Sequence, residues 1–349
     1  MLQPLPSYEE PGKRRLEAVR AAAERDLESL LQLLAHFLLY KSRKRSRTSL
    51  ATYRLYGLGV RDFVAWAWPE GAPGPRVPLL KATPDDVDRW LSELLREGGH
   101  LPENPKPLKP ATAAAYLAGL RAFYRALVWA GALERNPAAE VLPPRDPTPR
   151  SERRPALPYP LYRGLLERLS GGGAQEVRDR AVFRLMGEAG LRVSEVEGLD
   201  VEDFDPGEEE IHVRAGKGGK ARTVPLPPSL AAELVQWLRV RTLYAAPGER
   251  ALFVNLGGRK ARGRRLRAWT IRERLSAYLK ELGAPDRYHG PHSLRHLAGT
   301  RLYRATGDLY VVAALLGHAD VSTSQIYAKM DRSRLRKAVG RLAVNEEGL

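Results

Sequence analysis

Cysteine is absent from the 349-residue chain. Without a thiol the chain can form no disulfide framework, no thiolate metal site and no cysteine nucleophile. Long apolar runs are also missing, because the longest stretches, near residues 30–40 and 309–316, fall short of the roughly 20 residues that a membrane-spanning helix needs. The N-terminal segment carries acids and prolines where a secretion signal has a basic start and an apolar run. These absences predict a soluble, cytoplasmic protein without a membrane partner.

Positive charge, by contrast, is in excess. Lysine and arginine number 57 against 41 aspartates and glutamates, which gives a formal net charge of +16. The phosphate backbone of a nucleic acid is the commonest partner of such a surface, and an anionic membrane surface is the second. The charge therefore favours a nucleic-acid-binding protein, which in a bacterial cytoplasm would associate with the nucleoid.

A proline-rich, basic segment at residues 143–158 divides the chain. Repeated proline forbids helix and favours extended backbone, so we interpret this segment as a linker between a domain at residues 1–142 and a second at residues 159–349. Apolar periodicity predicts four helices in the first domain. They are expected near residues 15–40, 49–67, 83–98 and 111–130.

The second domain is predicted to be mostly helical with a small antiparallel sheet. β-Forming residues within residues 201–226 flank the glycine turn at residues 216–219, which indicates a short hairpin. Helical periodicity surrounds this stretch on both sides. The helices are expected near residues 160–169, 178–189, 230–242, 270–282, 293–306, 308–316, 323–330 and 333–343.

Two short motifs of the second domain carry cations. In GLRVSEV (residues 190–196), Arg192 and Glu195 lie three residues apart and would share one face of a helix, although a surface ion pair explains that spacing equally well. In GKGGKAR (residues 216–222), Lys217 stands on a glycine-rich turn where a phosphate could approach closely. A solvated basic turn is the alternative, since the phosphate-loop pattern of nucleotide-binding proteins is not present.

Two further motifs carry histidines and a tyrosine. In PHSLRH (residues 291–296), His292 and Arg295 can face one ligand, and His292 and His296 have the spacing of a zinc helix. A metalloprotease helix has glutamate directly after its first histidine, but Ser293 stands there, so we predict no metal. LLGHADVSTSQIY (residues 315–327) has the layout of a helix–turn–helix and ends at Tyr327, which could equally be a core tyrosine.

Taken together and in chain order, these motifs resemble the tyrosine recombinases, or integrase family, and most closely the Xer-type site-specific recombinases. TSLATY (residues 48–53) and the pair Asn136–Pro137 resemble the core-binding domain of that family. The resemblance implies an N-terminal four-helix, SAM-like core-binding domain and a C-terminal catalytic domain with the DNA breaking-rejoining fold. It also implies site-specific recombination, in chromosome dimer resolution or in integration and excision.

The resemblance implies a role for each motif residue. Tyr327 would attack the phosphodiester and form a 3′-phosphotyrosine, while Arg192 and Arg295 clamp the phosphate. Lys217 would protonate the departing 5′ oxygen, His292 would handle the proton of the nucleophile, and His318 would donate a hydrogen bond to the phosphate. Glu195 is expected to orient Arg192, or another cation of the site, without touching DNA.

The residue types agree with this chemistry. The sequence has no carboxylate cluster for Mg²⁺ and no nucleotide-binding loop, so neither a cofactor nor ATP is expected. A free tyrosine has a pKa of about 10 and needs a cationic site to act as a nucleophile. Two alternatives stay open: a type IB topoisomerase, which uses similar chemistry on one duplex, and a non-catalytic DNA-binding protein.

DNA contacts and assembly are the remaining expectations. The partner is double-stranded DNA with paired half-sites, held by a homotetramer, or by a heterotetramer with a second recombinase. An amphipathic pattern at residues 335–344 predicts a tail helix that docks on a neighbouring subunit or folds back on its own domain. The residues expected to contact DNA are Lys41, Arg43, Lys44, Arg45, Arg47, Thr48, Lys220 and Arg222.

Overall fold

The structure is a computed structural model, and it describes residues 8–42, 48–148, 155–214, 221–258 and 260–317, together with Ser324 and Tyr327. The chain separates into two compact units, Met1–Pro147 and Thr148–Leu349. The division falls within residues 143–158, the segment expected to be a linker. Among the described residues, no helix has both the length and the apolar character needed to cross a membrane.

The first unit is helical. Its helices are α1 (Pro11–Ala23), α2 (Leu27–Tyr40), α3 (Leu50–Ala67), α4 (Pro84–Arg96) and α5 (Pro110–Ala130). The prediction of one helix over residues 15–40 is wrong. The chain breaks between α1 and α2, where Arg25 has a φ of 57° and the Asp26 carboxylate accepts a hydrogen bond from the Ser29 amide. An aspartate in that role caps the start of a new helix, so α2 begins there.

The other helices of this unit begin and end where the sequence predicts. Thr83 caps α4 through its hydroxyl, with Pro84 in the first turn, and α5 ends at Gly131, whose φ is 78°. Helices α3 and α5 pack closely because each presents a glycine to the other. A methyl group at Gly59 would lie 2.5 Å from the Tyr116 carbonyl oxygen. These two backbones are therefore in contact along the core of the unit.

A buried carboxylate also holds this unit together. Asp62 on α3 is fully buried and accepts hydrogen bonds from Trp90 Nε1 at 2.9 Å and from the His100 amide at 2.8 Å. The His100 ring pairs with Asp62 through Nδ1 at 3.1 Å and with Glu93 through Nε2 at 3.2 Å. Asp62 thus joins α3, α4 and the loop that follows α4.

The second unit combines helices with one small sheet. The helices are α6 (Tyr159–Arg168), α7 (Ala174–Gly187), α8 (Val193–Gly198), α9 (Pro228–Arg241), α10 (Ala268–Glu281), α11 (His292–Thr306) and α12 (Leu309–Leu316). The antiparallel sheet has the order β1–β2–β3. Its strands are β1 (Phe204–Asp205), β2 (Glu210–Val213) and β3 (Arg222–Pro225). The mainly helical fold with a small antiparallel sheet is thereby confirmed.

Helix α7 lies at the centre of the second unit and packs against both α9 and α11. In the sheet, Ile211 pairs with Val224, and both side chains are buried in the core. The alternation of β2 buries Ile211 and Val213 and directs Glu210 and His212 away from the core. The hairpin between β2 and β3 therefore stands on a buried base close to the start of α8.

Candidate active site

The site begins where α8 begins. Gly190 has a φ of 69°, and two residues later Arg192 leads into the helix. Glu195, in the first turn of α8, accepts a hydrogen bond from the Arg192 amide at 2.8 Å and a second from the Arg192 guanidinium at 2.7 Å. The Glu195 side chain is buried, so this contact is not the surface ion pair that the spacing alone would allow.

A second arginine binds the same carboxylate from the sheet. Arg222, the first residue of β3, places Nη1 at 3.1 Å and Nη2 at 2.9 Å from the two oxygens of Glu195. Its Nε donates to the Leu315 carbonyl at the end of α12, at 3.2 Å. The donors of Arg222 therefore face protein oxygens, and its side chain is only 13% exposed, while its contact with DNA stays a prediction.

A third arginine reaches the cluster from α11. Arg295 is buried and donates to the carbonyl oxygens of Gly190 and Leu316. Its Nη1 lies 3.9 Å from Glu195 Oε2. Burial, together with the nearby charge of Arg192, lowers the pKa of Arg295 to about 10, while Glu195 acts in the opposite direction. Arg295 is thus still protonated at neutral pH.

Positive charge is in excess around Glu195, because three guanidinium groups surround one carboxylate. Burial would raise the pKa of Glu195, but hydrogen bonds from Arg222 and from the Arg192 amide outweigh it and lower that pKa to about 2. Glu195 is therefore ionised at any physiological pH. A cluster of this kind attracts an anion. Arg192 has the most exposed side chain of the three arginines and can bind that anion in addition to Glu195.

Tyr327 lies beside this cluster and is almost completely buried. Its hydroxyl is 3.1 Å from Nδ1 of His296, and its ring lies against α11 at Gly299. A methyl group at Gly299 would come within 2.5 Å of the ring, so only glycine leaves room for it there. We call the pair His296 and Gly299 the tyrosine seat.

The electrostatics of Tyr327 reflect both its burial and its neighbours. Burial raises the pKa of Tyr327 to about 12, although the charges of Arg295 and Arg192 act to lower it. The hydroxyl is consequently protonated in this conformation. The charges of the two arginines favour the deprotonated phenol, but burial outweighs them.

His292 lies on the same helix as Arg295 and His296, and its role toward the nucleophile stays a prediction. It is the first residue of α11 and is exposed, with its ring centroid 6.4 Å from that of His296. Among the described residues, the histidine that contacts the Tyr327 hydroxyl is His296, one turn further along the helix. Within the described ranges, no cluster of histidine and acidic side chains could hold a metal ion.

Several residues expected in the site lie outside the described residues. Among those assigned to DNA contact that are described, Lys41 is exposed and lies over the Trp129 ring at 5.8 Å, while the Thr48 hydroxyl bonds the Leu38 carbonyl at 3.4 Å. The predicted helices at residues 323–330 and 333–343, including the tail segment, also fall largely in the part that is not described. The expected site and DNA-contact residues in that part are Arg43, Lys44, Arg45, Arg47, Lys217, Lys220 and His318.

The sequence reasoning missed two contacts of the site. It did not connect Arg222 with Glu195, because 27 positions separate them and no local period links a strand to a helix start. It also did not pair His296 with Tyr327. The sequence did contain one signal of this contact. His296 and Gly299 are spaced i, i+3, which places a small residue beside a histidine on one helix face and leaves room there for a ring.

Comparison with protein families matches both units. The Phage integrase family matches residues 162–334, and the phage integrase N-terminal SAM-like domain matches residues 34–131. Tyrosine recombinase XerC of Chromobacterium violaceum is 37% identical over 261 residues, covering 73% of this chain and 79% of that protein. Tyrosine recombinase XerC of Haemophilus influenzae is 34% identical over 262 residues, with the same coverage of both chains.

Solved structures share the fold. XerH site-specific recombinase, bound to a palindromic difH substrate in a post-cleavage complex, matches with a TM-score of 0.67 at 20% identity, over 90% of this chain and 96% of that one. A lambda integrase dimer bound to a core site matches with a TM-score of 0.62 at 17% identity, over 85% of this chain and 96% of that one.

Proposed function

The chain belongs to the phage integrase family of tyrosine recombinases, and from this membership we propose which residues cut and rejoin DNA and how they do so. The protein is a site-specific recombinase, an enzyme that cleaves and rejoins DNA strands. We assign the phosphate site to Arg192 and Arg295 and the nucleophile to Tyr327. Arg192 lies at the start of α8, Arg295 lies in the first turn of α11, and Tyr327 lies in the tyrosine seat.

One observation carries the assignment: the carboxylate of Glu195 holds Arg192 at 2.7 Å, with Arg295 at 3.9 Å, in a cluster that keeps excess positive charge. Two guanidinium groups can bind the non-bridging oxygens of a phosphodiester and stabilise the charge that grows in its pentavalent transition state. Glu195 orients these cations and does not itself meet the phosphate. The removal of one such oriented donor costs on the order of 10²–10³ in rate.

The steps then follow from the chemistry of a phosphodiester. The Tyr327 oxygen attacks phosphorus, the bond to the 5′ oxygen breaks, and a 3′-phosphotyrosine forms. Lys217 gives a proton to the leaving oxygen, His318 donates a hydrogen bond to the phosphate, and His292 handles the proton of the nucleophile. Because the phosphotyrosine keeps the energy of the bond, a 5′ hydroxyl from a partner strand reverses the step without ATP, metal or cofactor.

The assembly is the next part of the proposal. Two rounds of exchange through a Holliday junction need two duplexes and four active sites, so we infer a tetramer on paired half-sites. The domain at residues 1–142 and the catalytic domain at residues 159–349 would close around the duplex, joined by the linker at residues 143–158. Phosphate contacts fix the position of such a clamp, and a few side chains read the bases. The tail segment at residues 335–344 would link neighbouring subunits.

The alternative activities are less favoured. DNA relaxation by a type IB topoisomerase uses similar chemistry, but the relatives at 34–37% identity are recombinases. A DNA-binding protein without catalysis gives no reason for a buried arginine cluster around Glu195 with a tyrosine beside it. Neither alternative explains why the first unit matches the integrase N-terminal domain while the second matches the integrase family itself.

A nicked suicide duplex that carries a candidate recombination site tests the assignment. Loss of the short fragment beyond the nick traps the covalent intermediate, which a denaturing gel then resolves. Wild-type protein should form the adduct, while Tyr327→Phe should bind DNA and form none. Tyr310→Phe is the matched control, because Tyr310 lies on α12 with 74% of its surface exposed. An adduct that maps to any residue other than Tyr327 would overturn the assignment.

A further inference from the structure

Arg222 joins three segments that carry residues of the proposed site. It begins β3, the strand that follows the hairpin with Lys217, and its guanidinium binds both oxygens of Glu195 at 2.9 and 3.1 Å. Glu195 in turn holds Arg192 at 2.7 Å. One carboxylate therefore ties the base of the hairpin to the phosphate site at the start of α8.

The opposite end of the hairpin is anchored in a similar way. Arg214 follows β2, and its guanidinium lies 2.7 Å from Asp200 and 2.5 Å from Asp203, both in the segment after α8. Each end of the hairpin is thus held by an arginine on a carboxylate. The two anchors differ in exposure, because the Arg214 side chain is 48% exposed and that of Arg222 is 13% exposed. Arg222 is the less hydrated of the two arginines, so its energy depends more strongly on how its planar guanidinium is aligned with the carboxylate.

The third segment is the end of α12. Arg222 Nε donates to the Leu315 carbonyl at 3.2 Å, and Arg295 donates to the next carbonyl, that of Leu316. Gly317 follows with a φ of 60°, and a methyl group there would lie 3.0 Å from the Arg222 side chain. The end of α12 at Gly317 therefore packs against Arg222.

From these contacts we propose that Arg222 is a positioning residue of the recombination reaction, which holds the base of the β2–β3 hairpin and the end of α12 in register with Arg192 and does not bind DNA. The inference rests on the proposed function. A planar guanidinium fits this task, because its donors point in fixed directions toward a carboxylate on one side and a carbonyl on the other. Lysine, with one point charge, can satisfy Glu195 but cannot also span to Leu315.

The test compares Arg222→Met, Arg222→Lys and wild type with Arg163→Met. Arg163 is the matched control, since it also pairs with a glutamate, Glu167, but its side chain is 69% exposed. Circular dichroism melting establishes that each variant is folded. Three measurements follow: the affinity for a duplex site from 50 to 200 mM salt, single-turnover adduct formation on the nicked suicide duplex, and the same reaction on a duplex with sulfur in place of the bridging 5′ oxygen.

The sulfur substrate separates a positioning role from a general loss of structure. The Tyr327 oxygen attacks phosphorus, the phosphorus–sulfur bond breaks, and the 5′ thiolate leaves without a proton, so the reaction no longer needs the acid on the hairpin. We expect Arg222→Met to lower adduct formation on the normal duplex on the order of 10²-fold, the scale of a misplaced catalytic group. On the sulfur duplex the rate of adduct formation by Arg222→Met, relative to wild type, should be at least tenfold higher than on the normal duplex. Arg222→Lys should fall between Met and wild type, and Arg163→Met should equal wild type.

Binding supplies the second criterion. A residue that contacts one phosphate changes the slope of log affinity against log salt by about 0.9 when it is removed. We expect the slope for Arg222→Met to equal that of wild type. A slope reduced by about one, or an equal loss on the normal and sulfur duplexes in a folded variant, would overturn the proposal. If wild type itself forms no adduct, the proposed function fails rather than the role of Arg222.

Discussion

Asp62 in the first unit and Glu195 in the second are both buried carboxylates, and each joins several elements. Their partners differ. Asp62 accepts from the Trp90 indole, from the His100 amide and from the His100 ring. Glu195 accepts mainly from the guanidinium groups of Arg192 and Arg222. The first set of partners adds at most one positive charge, whereas the second brings more charge than the carboxylate can neutralise.

This difference separates a carboxylate that holds a fold from one that prepares a site. Neutral donors satisfy a buried charge and leave nothing over for a ligand. Arginines in excess satisfy the carboxylate and still present positive charge, which a phosphate can share. Burial of a carboxylate alone therefore says little about its role, and the charge of its partners is the informative quantity.

The largest effect is expected when the charge of Glu195 is removed. In Glu195→Gln the guanidinium groups of Arg192 and Arg222 lose their shared anion, and an amide N–H faces donors. We expect single-turnover adduct formation to fall on the order of 10²-fold, as for misplaced catalytic groups. DNA affinity should stay level or rise, since one negative charge is lost. Binding and cleavage measured on the same duplex give the comparison, and a variant that cleaves at the wild-type rate would remove the organising role of Glu195.

Asp62→Asn changes the matching carboxylate of the first unit. The side chain keeps one acceptor for Trp90 Nε1 but turns an N–H toward the His100 amide, so a buried donor loses its partner. The cost should be about 1–3 kcal/mol in the free energy of unfolding of this unit. Chemical denaturation measures it through the fluorescence of Trp66 and Trp90, both buried there. Once DNA is saturating, the rate of adduct formation should equal that of wild type, and a large drop in that rate would contradict the contrast with Glu195.

Two glycines of α3 sharpen the comparison within the first unit. Gly59→Ala would force a methyl group to within 2.5 Å of the Tyr116 backbone, and overpacking of this kind costs about 1–3 kcal/mol. Gly57→Ala is the control, because its methyl group would meet only Leu31 Cδ2, at 3.6 Å. Alanine is also the better helix former by up to about 1 kcal/mol, so Gly57→Ala should be neutral or stabilising. Equal unfolding midpoints for the two variants would refute the close packing of α3 on α5.

The smallest effect is in the pH dependence of stability. Burial lowers the pKa of His100, but Asp62 and Glu93 outweigh it and raise that pKa overall. The protonated ring therefore stabilises the first unit fully below its unfolded pKa of about 6.5, and this contribution is lost as the pH rises through the higher folded pKa. Glu195 has the opposite sign: its contribution is present above an ordinary pKa of 4.5 and is lost as the pH falls toward 2.

Difference curves isolate each contribution. The melting temperature of wild type minus that of His100→Gln should decrease as the pH rises above 6.5, while wild type minus Glu195→Gln should decrease as the pH falls below 4.5. The pairing of His100 with Asp62 and Glu93 would be excluded if the first difference were flat over this range.

The sequence predicts much of the fold, and particular residues explain why. Thr83 with Pro84 and the glycine at position 131 mark the ends of α4 and α5, because caps are local signals. The break between α1 and α2 was missed because apolar spacing continues across it, although Asp26, which caps α2, is a local signal of a new helix start.

The site shows the same limit. The spacing of Arg192 and Glu195 predicts their contact, since i, i+3 neighbours share a helix face. The contacts of Glu195 with Arg222 and of Tyr327 with His296 depend on how α8, α11 and β3 pack together. No local period encodes that packing, so these two contacts required the structure.

The tyrosine seat also affects the balance between broken and intact DNA. The Tyr327 hydroxyl lies 3.1 Å from His296 Nδ1, and its buried ring packs against Gly299 of α11. If Tyr327 is the nucleophile proposed above, attack on a phosphodiester takes the ring out of this seat, and the ring returns when the strand is resealed. Reburial of an aromatic side chain is worth roughly 1.5–3 kcal/mol. That free energy favours the resealed strand by about 10- to 10²-fold. The equilibrium fraction of adduct on an intact duplex measures this bias.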